Sequence, residues 1–405
     1  MSLILQGAQK ILDWMIDLRR DFHRNPELGM KEVRTSQIVA EHLRQLGYEV
    51  KTGIGGTGVV GLLRGRAGGA TVALRADMDA LPMEDRKTVP YASARPGVAH
   101  SCGHDGNTAI LLGAARLFAQ YSKDLQGNVK LIFQPSEDTT PGGALPMIKD
   151  GVLEDPKVDG ILSLHLLPIF PEGTVSVRSG YSTISSAGFV LKMIGKGGHV
   201  SRPHESVDPI VMAGMVIMNG QTIVSRRVDP QDPTLVSFST VHGGTANNTI
   251  PDEVVLTGTI RTFRPEAREE LAKLLEQVAQ GAAQACGGTF HLKVEMEYPS
   301  VFNHPELAEE FKVSAAKVVG KERLILDAKP HMGGEDVSYF HQRIPGLHWK
   351  LGIANPGKGI IHPLHSSLFD FNEEVMALGA ALHVQGALDF LVNRKTRVLT
   401  DRLKE

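Results

Sequence analysis

The pattern of apolar and polar residues divides the chain into a long α/β part and a shorter α+β part. In the long part, near-continuous apolar runs at residues 71–76, 128–133 and 160–164 alternate with helical stretches at residues 108–121 and 144–150. Apolar runs without polar alternation are typical of strands that are buried on both faces. The pattern therefore predicts an α/β fold, with a mixed, largely parallel sheet flanked by helices.

Helical periodicity marks both ends of the chain. Residues 1–22 alternate apolar with charged positions, which predicts one amphipathic helix rather than a signal peptide. Another helix is predicted at residues 31–46, ending before Gly47, and a last one at residues 373–392. The most apolar later segment, residues 210–218, is shorter than the ~20 residues that a membrane span needs. We therefore expect no membrane association.

The periodicity changes at about Ser185. From there, a strand, a helix, two strands, a helix and a strand are predicted at residues 188–194, 207–224, 234–241, 253–263, 266–285 and 289–297. This β-α-β-β-α-β order fits a ferredoxin-like α+β domain. We therefore expect residues 1–184 and 299–405 to form one domain, with residues 185–298 inserted as a second.

Composition narrows the class of protein. The chain has 405 residues, of which 42% are hydrophobic and 22% charged, which indicates a globular protein with more than one core. The net charge of −2 and the lack of a basic block argue against a nucleic acid partner. Two cysteines, Cys102 and Cys286, cannot make a disulfide framework, so we expect a reducing, cytoplasmic location.

The densest group of potential metal ligands lies between Val98 and Asn107, in VAHSCGHDGN. Cys102, His104 and Asp105 fall within four residues there. Thiolate, imidazole and carboxylate groups bind borderline transition metals, Zn2+ above all. The stretch therefore predicts one part of a metal site.

Further candidates follow the predicted strands. Asp77 and Asp79 follow the first apolar run, Glu137 and Asp138 the second, and His165 the third. Open α/β sheets bind ligands outside the carboxyl ends of their strands, so these side chains should converge. Of two adjacent carboxylates, one can hold a metal while the other transfers a proton from water to a leaving amine.

Two questions stay open on the residues alone. Asp77 and Asp79 could be ligands or could orient a histidine ligand. Either His362 or His365 could complete the group.

In the predicted second domain, glycine-rich turns and a strand carry His199, Asn248 and Arg261. Together, these three suit an acyl oxyanion and a substrate carboxylate.

The chain resembles the dinuclear metallo-amidohydrolases that include hippurate hydrolases, aminoacylases and indole-acetyl-amino-acid (IAA-amino acid) hydrolases. The resemblance covers nearly the whole chain and rests on six motifs in order: DMDALP (77–82), CGHD (102–105), QPSED (134–138), GGH (197–199), GGTAN (243–247) and LHS (364–366). It implies a catalytic α/β domain with an inserted lid domain that often mediates dimerisation. The implied substrate is a small N-acyl amino acid, hydrolysed to a carboxylate and a free amino acid.

Residue by residue, the resemblance implies that Cys102 bridges two divalent ions (Zn, Mn, Co or Ni). His104 and His165 would complete one site, and Asp138 and His365 the other. The resemblance also assigns Glu137 as the general base, His199 as the residue that stabilises the tetrahedral intermediate, and Asn248 and Arg261 as ligands of the substrate carboxylate. A homodimer or higher homo-oligomer is expected.

The chain departs from the family pattern beside the metal site. Asp138 stands where relatives usually carry Glu, which predicts a weak second site, and Asn107 stands where His is common. Three alternatives remain: a carboxypeptidase or dipeptidase acting on free peptides, a binding or regulatory protein with an impaired centre, and a cysteine hydrolase using Cys102. The last ranks lowest, because too many potential ligands surround Cys102.

Overall fold

The computed structural model describes residues 2–65, 69–121, 125–326 and 328–402. The α-helices, in chain order, are α1 (Leu3–Lys10), α2 (Leu12–Arg24), α3 (Val33–Gln45), α4 (His104–Tyr121), α5 (Ala144–Lys149), α6 (Pro209–Thr222), α7 (Ala267–Cys286), α8 (Pro305–Val319), α9 (Ser338–His341) and α10 (Val375–Arg402). The strands are β1 (Glu49–Ile54), β2 (Gly58–Leu63), β3 (Ala70–Asp77), β4 (Gly127–Gln134), β5 (Gly160–Pro171), β6 (Val175–Ser176), β7 (Gly180–Tyr181), β8 (Ser185–Ile194), β9 (Gly198–His199), β10 (Thr234–His242), β11 (Thr249–Ile250), β12 (Glu253–Thr262), β13 (Thr289–Met296), β14 (Phe302–Asn303), β15 (Leu324–Ile325) and β16 (Gly346–Ala354).

These elements form two compact units. The first comprises Met1–Ser182, Val301–Lys329 and Asp336–Glu405. The second comprises Thr183–Ser300 and Pro330–Glu335. The role of the second unit as a lid or in dimerisation stays a prediction.

The first unit is built on an eight-stranded sheet with the order β1-β2-β4-β3-β5-β16-β6-β15. Its central strands β4, β3, β5 and β16 are parallel, whereas β1, β2 and β4 pair antiparallel. Helices cover both faces, because Leu74 of β3 packs in the same core as α4 and α10, and Ala73 in another core with α5 and α9. The predicted mixed, largely parallel sheet is confirmed.

Two predicted boundaries at the site are wrong. Strand β5 was expected to end before His165, but it continues to Pro171 because β16 pairs with it over that length. Arg75 of β3 pairs with Ser163 of β5, so His165 still lies near the level of Asp77, where β3 ends. Helix α4 begins at His104 rather than at residue 108, so the metal-ligand stretch passes directly into a helix.

The N-terminal segment forms two helices instead of the one predicted. Helix α1 ends at Lys10 and α2 begins at Leu12, with Ile11 in a non-helical conformation (φ −108°, ψ 8°). Ile11 is nevertheless buried with the apolar faces of both helices. The apolar period therefore continues across the break, which is why the sequence pattern did not reveal it.

The second unit is an α+β sandwich. Its four-stranded antiparallel sheet has the order β10-β12-β8-β13, and α6 and α7 pack on one face of it. Numbered by position within the unit, this order is 2-3-1-4, that of the predicted ferredoxin-like arrangement.

Helix α10 contains the most apolar long segment that the structure describes. Residues Val375–Arg394 are long and apolar enough to cross a membrane by length and composition, with a mean hydropathy of 1.6. However, 72% of that window is buried inside the protein, in the core that α1 and α4 share. The segment is therefore a core helix.

Candidate metal centre

Five side chains from four segments of the first unit converge beside the carboxyl ends of β3 and β4. Cys102, His104 and His165 offer ligand atoms that all lie within 4.8 Å of one another, and so do Cys102, Asp138 and His365. The Cys102 Sγ lies 3.5 Å from His165 Nε2, and the His365 Nε2 lies 3.4 Å from Asp138 Oδ1. The structure thus brings together all five residues that were predicted as ligands. Cys102 belongs to both groups, as a bridging ligand must.

Unpaired polar atoms point to a cation between these side chains. Among the residues that the structure describes, His104 Nε2 and Asp138 Oδ2 are buried without a hydrogen-bond partner. The His104 Nε2 lies 3.8 Å from Asp77 Oδ2 and 3.9 Å from Glu137 Oε2. Buried polar atoms normally have a partner, and a set of nitrogen, sulfur and oxygen donors suits Zn2+ and its neighbours. The residues therefore fit the metal ions that the sequence implies.

The electrostatics of the centre favour positive charge. Burial alone would lower the pKa of His104, but the Asp77 carboxylate and Cys102 raise that pKa well above its ordinary value. Burial raises the pKa of the Cys102 thiol to about 12, and the Asp138 carboxylate adds to this shift. A metal ion must displace these protons, so metal binding releases them. A buried thiol with so high a pKa also makes a poor nucleophile, which argues against a cysteine hydrolase.

Asp79 orients the ligands on both sides of it. The His104 Nδ1 lies 3.0 Å from the backbone oxygen of Asp79 and 3.2 Å from its Oδ1, so Nδ1 carries the proton and Nε2 faces the centre. The other oxygen, Oδ2, accepts from the backbone N–H of Asp138 at 3.0 Å. Asp79 therefore holds His104 and Asp138, which fits the orienting role, and its carboxylate also lies within 4.8 Å of ligand atoms of both residues.

Asp77 is occupied by other partners. Its Oδ2 accepts from Arg75 Nη1 and its Oδ1 from Asn107 Nδ2, both at 2.8 Å. Arg75 continues to Asp336, whose Oδ1 lies 3.0 Å from its Nη2. Asn107 thus serves as an amide donor to Asp77.

The predicted general base, Glu137, is buried beside the ligands, with 4% of its surface exposed. It lies on a loop that turns at Ser136, a residue with a positive φ of 51°. The backbone N–H of Ser136 donates to Glu32 Oε1 at 2.8 Å. Glu32 therefore supports the loop that carries Glu137.

The other predicted functional residues belong to the second unit. The His199 Nδ1 accepts from the backbone N–H of Ser201 at 3.2 Å, which leaves its Nε2 as a hydrogen-bond donor. Asn248 adjoins His199, because the next residue, Thr249, pairs with His199 in a two-stranded ribbon. Arg261 lies in β12 and donates to the backbone oxygen of Met332. The catalytic and substrate-binding roles of these residues stay predictions.

Three residues of the N-terminal segment that support the centre were not predicted from the sequence. Arg19, His23 and Glu32 are all completely buried. For Arg19 the signal was available: it lies four residues after Met15 and three before Phe22, on the apolar stripe of α2. A charge on a buried stripe needs a buried partner, and here that partner is Asp105.

Comparisons with known proteins agree with the fold and with a metal centre. The sequence model described as peptidase family M20/M25/M40 matches residues 73–389. Thermostable carboxypeptidase 2 of Saccharolobus solfataricus is 40% identical over 95% of this chain and 97% of its own length. IAA-amino acid hydrolase ILR1-like 4 of Arabidopsis thaliana is 38% identical over 100% and 91%. The crystal structure of the Bacillus subtilis YXEP protein, described as a dinuclear metal binding peptidase from the M20 family, superposes with a TM-score of 0.83 at 31% identity, covering 95% of this chain and 99% of that one. The chain therefore belongs to peptidase family M20/M25/M40.

Proposed function

We propose that this protein is a metal-dependent amidohydrolase that cleaves the amide bond of N-acyl amino acids. The observation that carries the proposal is the convergence of five potential ligands, Cys102, His104, Asp138, His165 and His365, beside the buried carboxylate Glu137. The relative named as an IAA-amino acid hydrolase, which matches along the whole chain, supports this class of substrate.

The two groups that share Cys102 would hold two divalent ions, with Zn2+, Mn2+, Co2+ and Ni2+ as candidates. When bound, the ions supply a Lewis acid that polarises the amide carbonyl and acidifies water. His104 and His165 are buried, whereas the His365 side chain is 55% exposed. Asp138 also has a side chain that is one methylene shorter than that of glutamate. We therefore expect the ion held by Asp138 and His365 to bind more weakly.

The chain's own residues would move the proton and hold the substrate. Glu137 takes a proton from the attacking water and later gives it to the leaving nitrogen. The Nε2–H of His199 donates to the oxyanion of the tetrahedral intermediate. Asn248 and Arg261 bind the carboxylate of the amino acid.

A second candidate is a carboxypeptidase or dipeptidase, in which a free peptide replaces the acyl group. The 40% identity with a thermostable carboxypeptidase favours it. A binding protein with an impaired centre is less well supported, because Asp138, despite its shorter side chain, still lies 3.4 Å from His365.

The test is a hydrolysis panel on N-acetyl, N-benzoyl, N-carbamoyl and indole-acetyl amino acids and on free dipeptides. The panel is run with and without a chelator, followed by addition of each of the four metals. We expect acyl amino acids to be cleaved only with metal, and Glu137→Gln to lower the rate by roughly 10²–10⁴ while still binding metal. Cleavage of free dipeptides alone would establish the second candidate. Near-normal turnover of Glu137→Gln would show that the assigned base is wrong.

We propose a homodimer formed through the second unit. Helix α6 exposes Ile210, Val211 and Met218, with 50%, 53% and 72% of their surfaces accessible. Strand β10 is an edge strand, and edge strands with free backbone groups pair readily with a symmetric copy. Light scattering should give twice the chain mass for the wild type and the chain mass for Met218→Glu. A monomeric wild type would contradict this proposal.

We also propose a cytoplasmic location. Neither cysteine of the chain forms a disulfide, and both lie within the described residues. Reduced cysteines are typical of the cytoplasm. Fractionation of cells that express the full chain tests this location.

A further inference from the structure

Arg19 is a fully buried arginine whose guanidinium contacts three carboxylates. Its Nε donates to Asp105 Oδ2 at 2.7 Å, its Nη2 to Asp370 Oδ1 at 2.8 Å and its Nη1 to Glu373 Oε1 at 3.2 Å. Two aromatic rings lie over the guanidinium at 4.9 and 4.5 Å, those of Tyr91 and Phe371. Both the edges and the faces of this group are therefore used.

Two of these carboxylates belong to the segments that carry the metal ligands. Asp105 directly follows His104 at the start of α4. Asp370 lies five residues after His365, on the irregular segment that precedes α10. The first metal group is Cys102, His104 and His165, and the second is Cys102, Asp138 and His365. From helix α2, Arg19 thus joins the segment that carries His104 to the segment that carries His365.

The segment that carries His365 needs such support because its backbone is strained. His365 has a φ of +61°, in the left-handed region that non-glycine residues rarely occupy. Other bonds also hold the segment: the His365 N–H donates to Ser101 O and Lys87 Nζ to Phe369 O, each at 2.8 Å, and the Tyr91 hydroxyl donates to Asp370 Oδ2 at 2.7 Å. Arg19 differs from these groups because it also donates to Asp105, the residue that follows His104.

Stability alone does not explain an arginine at this position. Buried ion pairs recover their desolvation cost only in part, and apolar side chains of similar volume are often as stable. The guanidinium instead offers donors in a rigid planar fork, which fixes several acceptors relative to one another. A lysine at position 19 has the same charge but cannot fix Asp105, Asp370 and Glu373 in this way.

We propose that Arg19 is a positioning residue that keeps the His365 segment in register with the His104 segment and thereby sets the affinity of the second metal ion. The proposal rests on the two-ion centre of the proposed function. Without Arg19, Asp105 still has His23, whose Nδ1 lies 2.7 Å from its Oδ2. Asp370 keeps only the neutral Tyr91 hydroxyl, 2.7 Å from its Oδ2, and loses its buried cation, so the second ion should weaken more than the first.

The test measures metal binding rather than turnover. Full-length protein is stripped with a chelator and titrated with Co2+ in competition with a chromophoric chelator, which gives the stoichiometry and both dissociation constants. The thiolate-to-cobalt absorption reports contact with Cys102. The variants are Arg19→Met and Asp370→Asn; the second removes the charge that pairs with Arg19 and so weakens the link to the His365 segment. Arg20→Met is the matched control, because Arg20 pairs with Glu373 from the same helix and is 47% exposed.

We expect the dissociation constant of the second ion to rise by about 10–100-fold in Arg19→Met and Asp370→Asn, and that of the first to change less than about threefold in Asp370→Asn. Arg20→Met should match the wild type. Because Asp370 is partly exposed, its variant keeps the test valid if Arg19→Met does not fold. Wild-type binding of both ions by Asp370→Asn, or an equal loss in Arg20→Met, would overturn the proposal. A wild type that binds no ions would instead overturn the proposed function, and this proposal with it.

Discussion

Glu32 is a buried acid whose ionisation should make the first unit less stable as the pH rises. It is completely buried, and its carboxylate accepts from Thr57 Oγ1 and from the backbone N–H of Ser136. Burial raises its pKa from the ordinary 4.5 to about 7, although both hydrogen bonds oppose the shift. Because Ser136 adjoins Glu137, this ionisation occurs directly behind the loop that carries the proposed base.

The sign and size of the effect follow from the two pKa values. The unfolded chain releases this proton near pH 4.5 and the folded chain near pH 7, so folding retains a proton between these values. The stabilisation is fully present below pH 4.5 and is lost as the pH rises through 7. The whole shift corresponds to roughly 3 kcal/mol, of which about 2.5 kcal/mol is lost between pH 5 and pH 8. Glutamine does not ionise, so the free energy of unfolding of Glu32→Gln should rise by that amount relative to the wild type between pH 5 and pH 8.

The assay is urea denaturation at pH 5, 6, 7 and 8 in a chelator, so that metal binding does not contribute to the free energy of unfolding. Tryptophan fluorescence reports on the correct unit, because the two tryptophans, Trp14 and Trp349, both belong to the first. Thr57→Val is the control: it removes a hydrogen bond but keeps the acid, so its pH dependence should remain. A difference between wild type and Glu32→Gln that stays constant within about 0.5 kcal/mol would refute the reasoning.

Three further variants test other contacts. Asp79→Ala should weaken metal binding by about 10-fold in a chelator competition, because His104 keeps only the backbone oxygen of residue 79 and the Asp138 N–H loses its carboxylate acceptor; unchanged affinity would show that the Asp79 side chain does not position the ligands. Asp138→Glu should tighten the second ion in the same assay, since it restores the length usual in related sequences, and a weaker second ion would contradict this. Lys130→Met should destabilise the first unit by roughly 2 kcal/mol in urea, because the buried ammonium donates to three backbone oxygens, those of Val152, Glu154 and Pro156; an unchanged urea midpoint would contradict it.

The sequence predicted well where one side of an element is buried and the other exposed. In the second unit, strand β10 was expected at residues 234–241 and is found at Thr234–His242, and helix α7 was expected at residues 266–285 and is found at Ala267–Cys286. Helix α7 is amphipathic, so its period and its ends are visible locally. The length of β5 was not visible in this way, because it depends on pairing with β16, which lies far along the chain.

Part of the proposed ligand set could be predicted from residue type. A cysteine and a histidine two residues apart favour metal binding, and His165 follows a neighbouring apolar run, whereas the choice of Asp138 and of His365 over His362 came from the family resemblance. The residues behind the ligands carry no such signature. The place of Arg19 on the apolar stripe of α2 indicates that it is buried, but not which carboxylates it contacts.

The N-terminal helices therefore belong to the metal centre, although the family match begins only at residue 73. Helix α2 supplies Arg19, which binds Asp105 beside His104, and Glu32 at the start of α3 binds the loop that carries Glu137. Each of these residues is a buried charge or acid, which an apolar side chain could replace without loss of packing. Helix α2 also buries Met15 and Phe22 in the main core, and α3 buries Val39 and Leu43 there, so the place of both helices in the fold is fixed independently of the centre. A helix held by its apolar stripe can then use one or two polar positions to fix distant loops, and this division of roles explains why ligands from separate segments meet at one point.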